Sequence, residues 1–173
     1  MNFLPKGYEV PKTSKGGYFK FLKGDNTFRI LSKAVVGYEN WSNGKPIRFR
    51  MTDNLPPASD FDNDKHKHFW GLVVYNYRDK SVNILQLTQS SIQNEISALS
   101  KDEDWGDPMK YDIKVTRTGE GLSTEYTVSP KPHKALSKDV KDAYKNTPVD
   151  LTALFTGDNP FVTKELVEDD LPF

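Results

Sequence analysis

Lys67-His68-Phe69-Trp70-Gly71-Leu72-Val73-Val74-Tyr75-Asn76-Tyr77, followed after Arg78-Asp79-Lys80-Ser81 by Val82-Asn83-Ile84-Leu85-Gln86-Leu87, decides how this chain folds. Both runs are rich in β-branched and aromatic residues, and the polar tetrapeptide between them reads as the turn of a hairpin. A two-residue loop at Asp79-Lys80 sets Leu72 against Leu87 and Val74 against Leu85, giving one apolar face that includes Trp70. The other face carries Phe69, Gly71, Val73, Tyr75 and Tyr77 across from Val82, Ile84 and Gln86. A sheet buried on one side alternates with a polar side, and this second face is aromatic instead. Two readings fit it: a platform for stacking ligands, or a central strand covered on both sides. A three-residue loop would move the pairing by one and exchange the faces.

Outward from the hairpin, the composition sets limits. A chain of 173 residues is one domain with appendages, large enough for a full core. Aromatic residues at 12% beside charged residues at 28% describe a globular chain. With no cysteine, disulfides and thiolate metal sites are excluded, which suits a reducing compartment. The start, Met1-Asn2-Phe3-Leu4-Pro5-Lys6, lacks the apolar run of a signal peptide, and no stretch approaches a membrane span, so a cytoplasmic location is expected. The formal net charge of zero hides an asymmetry. Glu165, Glu168, Asp169 and Asp170 against Lys164 give the last ten residues a net of −3, so the remainder carries +3. An acidic end masks a mildly basic body.

Residues 1–17 hold two prolines and three glycines and read as an extended N-terminal arm. Strand character begins at Tyr18-Phe19-Lys20-Phe21-Leu22 and resumes, after a Gly24-Asp25-Asn26 turn, with Thr27-Phe28-Arg29-Ile30-Leu31-Ser32. Val35-Val36-Gly37-Tyr38 continues it past a kink at Lys33-Ala34. A long connection over 39–66 follows, with only Pro46 to Met51 strand-like inside it, and connections of that size in compact domains are usually functional or disordered. After the hairpin, Ile92, Ile96 and Leu99 share one helical face behind Thr88 as N-cap, a helix suited to plugging an open sheet end. Tyr111, Ile113 and Val115 then alternate with polar residues, Gly119-Glu120-Gly121 turns, and Thr124 to Val128 returns until Pro130 and Pro132 end the sheet. Residues 137–145 form a short polar helix. The resulting order, strand, long connection, strand, strand, helix, strand, strand, predicts an all-β fold with minor α: a five-stranded Greek-key OB-fold barrel. Its long insertion lies between strands 1 and 2 and its helix between strands 3 and 4. The domain spans 18–145, and 146–173 form a C-terminal segment.

Cations and rings interleave where such a barrel grips its ligand. Tyr38-Glu39-Asn40-Trp41 precedes Lys45-Pro46-Ile47-Arg48-Phe49-Arg50, with Arg48 and Arg50 on one side of the strand. Single-strand nucleic-acid binders need both ingredients: cations follow the phosphates, and ring faces stack bases at about 1–3 kcal/mol each regardless of the base. Lys33 at the kink, Lys67, Phe69, Tyr75 and Tyr77 on the hairpin, and Lys114 and Arg117 on the later one complete the expected nucleic-acid-binding set. Asp60, Asp62, Asp64, His66 and His68 alternate like metal ligands, yet Lys65 and Gly71 stand where a calcium loop needs glycine and glutamate, and a solvated acidic loop is the reading preferred. No nucleotide loop, nucleophile elbow or zinc-protease helix is present, so no catalytic residue, metal or cofactor is expected.

Glu168-Asp169-Asp170-Leu171-Pro172-Phe173 sets acids beside an apolar tip and resembles the Asp-Asp-Asp-Ile-Pro-Phe end of bacterial single-stranded DNA-binding proteins. The blocks Phe3-Leu4-Pro5-Lys6-Gly7-Tyr8, Asn26 to Ser32, Gly37-Tyr38-Glu39-Asn40-Trp41, Phe69 to Tyr77 and Lys101-Asp102-Glu103-Asp104-Trp105-Gly106-Asp107-Pro108 are similar to recurring blocks of tailed-phage single-stranded DNA-binding proteins. That resemblance implies an OB-fold that coats exposed DNA, largely independently of sequence, during phage replication and recombination in an infected cell. It also implies that Asp169, Asp170, Leu171, Pro172 and Phe173 recruit replication or recombination partners. The chain departs from the pattern in having no long linker before the tip and no cysteine-based zinc site. Two other readings stay open: an RNA-binding OB module, and a metal-dependent nuclease using Asp60, Asp62, Asp64 and His66.

Overall fold

The computed structural model describes residues 17–161 together with Phe3, Pro5 and Lys6. Most of the expected N-terminal arm, and the tip Asp169, Asp170, Leu171, Pro172 and Phe173, lie outside the described residues. Among the described residues eight strands and three α-helices follow one another: β1 (Gly17–Tyr18), β2 (Gly24–Ile30), β3 (Val35–Ser42), β4 (Lys45–Arg50), β5 (Lys67–Asn76), β6 (Ser81–Leu87), α1 (Ser90–Lys101), β7 (Tyr111–Thr118), β8 (Glu125–His133), α2 (Lys138–Asn146) and α3 (Ala153–Thr156). The protein is mostly β-sheet. Among the described residues no helix is long and apolar enough to cross a membrane.

The quoted hairpin is the centre of the sheet. β5 pairs along one edge with β6. Its other edge serves β2, over Val74–Asn76, and then β3, over Lys67–Gly71, because the chain bends between β2 and β3 at residues 31–34. β2 passes the sheet on to β7, and β7 to β8. All of these ladders are antiparallel, and among the described residues only β1 runs parallel, to β6. The expected barrel does not close: among the described residues no ladder joins β6 to β8, and α1 packs against β8. The sheet is open and mixed.

The hairpin register differs from expectation in an instructive way. Leu72 opposes Leu85 and Trp70 opposes Leu87, so the connection is the four residues 77–80, with Lys80 in the left-handed region at φ 52°. A shift by two residues leaves every side chain on its expected face, since strand periodicity is two. Leu72, Val74, Leu85 and Leu87 therefore meet Phe28, Ile30, Ile113 and Val115 in the main core, capped by Ile92 and Ile96 of α1. Each such fully buried side chain contributes about 1.5–3 kcal/mol of apolar transfer. The α1 N-cap is Gln89 rather than Thr88, with no capping side chain.

The second face of the hairpin is covered. Val73, Tyr75 and Val82 pack with Leu31 and with Val140 of α2, and Tyr144, Val149 and Leu151 close around them. Beyond them α3 lies on the sheet, with Leu154 buried and the Phe155 ring 5.9 Å from Phe69. The approach is close because Gly71 has no Cβ: one built there would sit 3.0 Å from Leu154 Cδ1 and 2.8 Å from Val35 Cγ2. The stacking-platform reading fails over this stretch. Helical cover, not a ligand, accounts for the aromatic second face.

The long connection expected over 39–66 is largely structured. β3 runs on to Ser42 and returns as β4 through a two-residue turn, Asn43-Gly44, with φ of 51° and 78°. Two consecutive positive φ values are the signature of a type I′ turn, whose twist matches the flanking strands. At the other end of the sheet, β8 continues through Pro130 and Pro132 to His133. Both prolines are tolerated because, among the described residues, β8 pairs only with β7, leaving an edge that needs no N–H donor.

Candidate nucleic-acid interface

The β3–β4 hairpin is an arm held from behind by its own returning loop. The Asp62 carboxylate accepts the backbone N–H of Asn43 at 3.2 Å and of Gly44 at 3.0 Å, and Asp62 N–H donates to Trp41 O at 2.7 Å. His66 Nε2 donates to Pro56 O at 2.8 Å, so its Nδ1 is the acceptor for Asn40 Nδ2 at 3.1 Å. Phe49, Phe61 and His66 form a triangle of rings with centroids 5.4–5.7 Å apart. These contacts give the Asp60–His68 run a structural job. Among the described residues no group of three or more His, Cys, Asp or Glu side chains is arranged to hold a metal ion.

Register then decides which expected residues meet. Glu39 opposes Arg48, Trp41 opposes Pro46, and Gly37 opposes Arg50, all on one face of the arm. The same face continues on β5 with Lys67 opposite Glu39, and with Gly71, which opposes Gln86 of β6. Arg48 Nε donates to Glu39 Oε2 at 3.1 Å, and its Nη2 donates to Gln86 Oε1 at 2.7 Å. Gln86 Nε2 donates in turn to Glu39 Oε2. Glu39 is buried and the Arg48 side chain is only 12% exposed, so the guanidinium is fixed rather than waving in solvent. Beside it the Trp41 indole is 38% exposed. Arg50 lies over Phe155, 5.0 Å from the ring centroid, and Lys67 is exposed. Trp41, Arg48, Arg50 and Lys67 thus share one face, with Trp41 opposite Pro46 towards the tip of the arm and the three cations spread behind it.

The other expected residues fall elsewhere. Tyr38, Phe49 and Lys45 occupy the opposite face of the arm, where Tyr38 meets His68 edge-on at 5.7 Å. Phe69 has no exposed surface and Tyr75 is 6% exposed, so neither ring offers a face to a base. Tyr77 is half-buried and its hydroxyl donates to Asp112 at 2.8 Å; burial first, then that bond, push its pKa well up. Lys114 opposes Thr27 on the β2–β7–β8 side of the sheet, and Lys33 sits at the bend between β2 and β3. Arg117 is turned inward, its Nη1 donating to Phe21 O at 3.0 Å and its buried Nε left without a partner.

Two members of the cluster escaped the sequence reading, Glu39 and Gln86. The signal was present in Asn43-Gly44: reading that dipeptide as a hairpin turn pairs Glu39 with Arg48 directly. Charge over residues 36–67 is also balanced, since Lys45, Arg48, Arg50, Lys65 and Lys67 meet Glu39, Asp53, Asp60, Asp62 and Asp64. The acids are partly spent on backbone: Asp53 accepts the Arg50 N–H at 2.8 Å and Asp62 holds the turn. Comparison with protein-family models, with curated proteins and with solved structures gives no significant match.

Proposed function

We propose that this chain is a non-catalytic single-stranded DNA-binding protein, with the strand crossing the Trp41–Arg48–Arg50–Lys67 face of the arm. The observation that carries the reading is the Arg48 guanidinium, clamped by Glu39 and Gln86 beside the half-exposed Trp41 ring. A cation whose geometry is set before binding loses little entropy on meeting a phosphate. An adjacent open indole supplies stacking that is indifferent to base identity.

The fold that goes with this function is an OB-fold whose bent first strand is β2 and β3 together, followed by β5, β6, β7 and β8. The position of α1 between β6 and β7, packed on β8 where a barrel would close, supports that assignment. The resemblance to tailed-phage proteins adds coating of exposed DNA in replication and recombination, with Asp169 to Phe173 as a recruiting tip. No cofactor enters this reading. The nuclease alternative has less support, because Asp62 and His66 are engaged with backbone and Asn40.

Titration of tryptophan fluorescence with oligo-dT, oligo-rU and duplex DNA at several salt concentrations tests the proposal. Single strands should bind more tightly than duplex, with affinity falling as salt rises through release of counterions. Arg48→Ala should lower the salt slope by about one phosphate equivalent. Equal affinity for duplex, or affinity flat in salt, would overturn it.

A further inference from the structure

A second concave surface lies where β2 bends away from β7 and the turn Pro108–Lys110 crosses the end of the sheet. Two cavities of about 570 and 320 Å³ adjoin there, with Ile30, Asp107 and Met109 in the walls of both. The floor is aliphatic: Ile30, Leu72 and Ile96 are buried beneath it, and Met109 and Trp70 are half-buried at its sides. The rim is cationic, with Lys33 at one end and Lys110 at the other, while Lys134 Nζ is ion-paired with Asp112 at 3.3 Å. The carboxylate in the lining, Asp107, is turned onto the Met109 N–H at 2.9 Å.

The walls are also held rigid. Arg29, 2% exposed, donates through Nε to Met109 O at 2.9 Å and through Nη2 to Lys134 O at 2.7 Å. Lys134 N–H donates to Lys110 O at 3.1 Å, so both cation-bearing segments are pinned to one buried guanidinium. Little ordering is then left for a ligand to bring about.

We propose that this groove docks an acidic peptide segment of a partner protein, its bulky apolar side chains on the Ile30–Met109 floor and its carboxylates at Lys33 and Lys110. Charge complementarity selects an anion, and the floor selects its class. Aliphatic side chains receive leucine or phenylalanine well but give stacked bases no series of ring faces. The His133 ring is already stacked on Tyr111, 5.2 Å away, and its Nε2 is bonded to Trp105 O. Lysines, as mobile point charges, suit carboxylates whose spacing varies. The inference is independent of the nucleic-acid face.

A fluorescein-labelled synthetic peptide, acetyl-Asp-Glu-Leu-Asp-Phe-Leu-amide, titrated into the full chain by anisotropy tests it. Saturable binding is expected, weakened at least tenfold by Lys110→Glu, by Ser97→Trp at the α1 wall, and by replacing the peptide's leucines and phenylalanine with serine. Oligo-dT affinity should stay within about twofold in both protein variants, and their thermal midpoints should match the wild type. Absence of saturable binding, or binding unmoved by both variants, would overturn the proposal. A parallel tenfold loss of oligo-dT affinity would make the groove a nucleic-acid track instead. A rise in peptide affinity on deleting residues 162–173 would give it to the chain's own acidic end.

Discussion

Asn40 and His66 lock the arm to the loop behind it: Asn40 Nδ2 donates to His66 Nδ1 at 3.1 Å, with the Asn40 side chain fully buried. The same amide donates to Asn63 O at 2.9 Å, and its Oδ1 accepts the N–H of Trp41 at 2.8 Å and of Asn63 at 3.1 Å. Every polar capacity of one side chain is used, which is what burial of an amide requires.

Asn40→Leu, nearly isosteric, removes all four bonds at once and strands the Trp41 N–H. The expected cost is roughly 2–3 kcal/mol, the penalty of unpaired buried groups rather than the net worth of the bonds. Urea unfolding measures it, and limited proteolysis should show new cleavage within residues 51–65. A variant as stable and as protease-resistant as the wild type would show that the loop is held without Asn40.

Trp41→Ala and Phe69→Ala separate a ring that faces a ligand from one that faces the core. Trp41→Ala should leave the unfolding midpoint nearly unchanged and weaken oligo-dT binding by about 1–3 kcal/mol. Phe69→Ala should instead destabilise the fold by about 3–5 kcal/mol, as large-to-small changes at fully buried sites do. The reverse pattern would place the binding surface on the covered face of the hairpin.

That contrast also marks how far the sequence can be read. The strands and the core face were legible because alternation fixes faces even when the register is off by two, as at Leu72 and Leu85. The cover on Phe69 and Tyr75 was not legible, since it comes from Val140, Leu151 and Phe155, far along the chain, and no local pattern says which face of the sheet they reach. Trp41 and Arg48 stood out by residue type. Their partners Glu39 and Gln86 did not, because only tertiary register brings an acid from β3 and an amide from β6 to one guanidinium.

Tyr77 gives stability a pH dependence at the alkaline end. Its hydroxyl is held protonated by burial and by donation to Asp112, so its pKa in the fold lies above the ordinary 10.0. Tyr75, Tyr111 and Tyr144 are raised too, with burial the first cause in each. A group whose pKa is raised on folding stabilises fully below its unfolded value and loses that contribution as pH climbs. The wild type should therefore lose stability above about pH 10, where unfolded tyrosines ionise first. Tyr77→Phe should cost about 1–2 kcal/mol at pH 7, with Asp112 still paired to Arg29 and Lys134, and should flatten the alkaline decline. Urea midpoints at pH 7, 9 and 10.5 provide the check; parallel curves for the two proteins would remove Tyr77 from the account.

Gly37 and Gly71 govern how closely the arm and α3 approach the hairpin, and they should answer differently to an added methyl group. At Gly71 the new Cβ meets side-chain atoms, Val35 Cγ2 at 2.8 Å and Leu154 Cδ1 at 3.0 Å, which can yield. Gly71→Ala should cost about 1–3 kcal/mol through overpacking. Trimming the neighbour, in Gly71→Ala/Val35→Ala, should recover part of that loss relative to the sum of the single changes. At Gly37 the built Cβ runs into the main-chain oxygen of Phe49, with Phe155 Cε1 at 2.8 Å. A carbonyl inside the β3–β4 ladder cannot move without breaking the register that pairs Glu39 with Arg48. Gly37→Ala should thus be the more destabilising change, should weaken oligo-dT binding as the clamp on Arg48 loosens, and should gain nothing from Phe155→Ala. Rescue of both stability and binding by Phe155→Ala would show that α3, not the arm's own backbone, sets the tightness at this position.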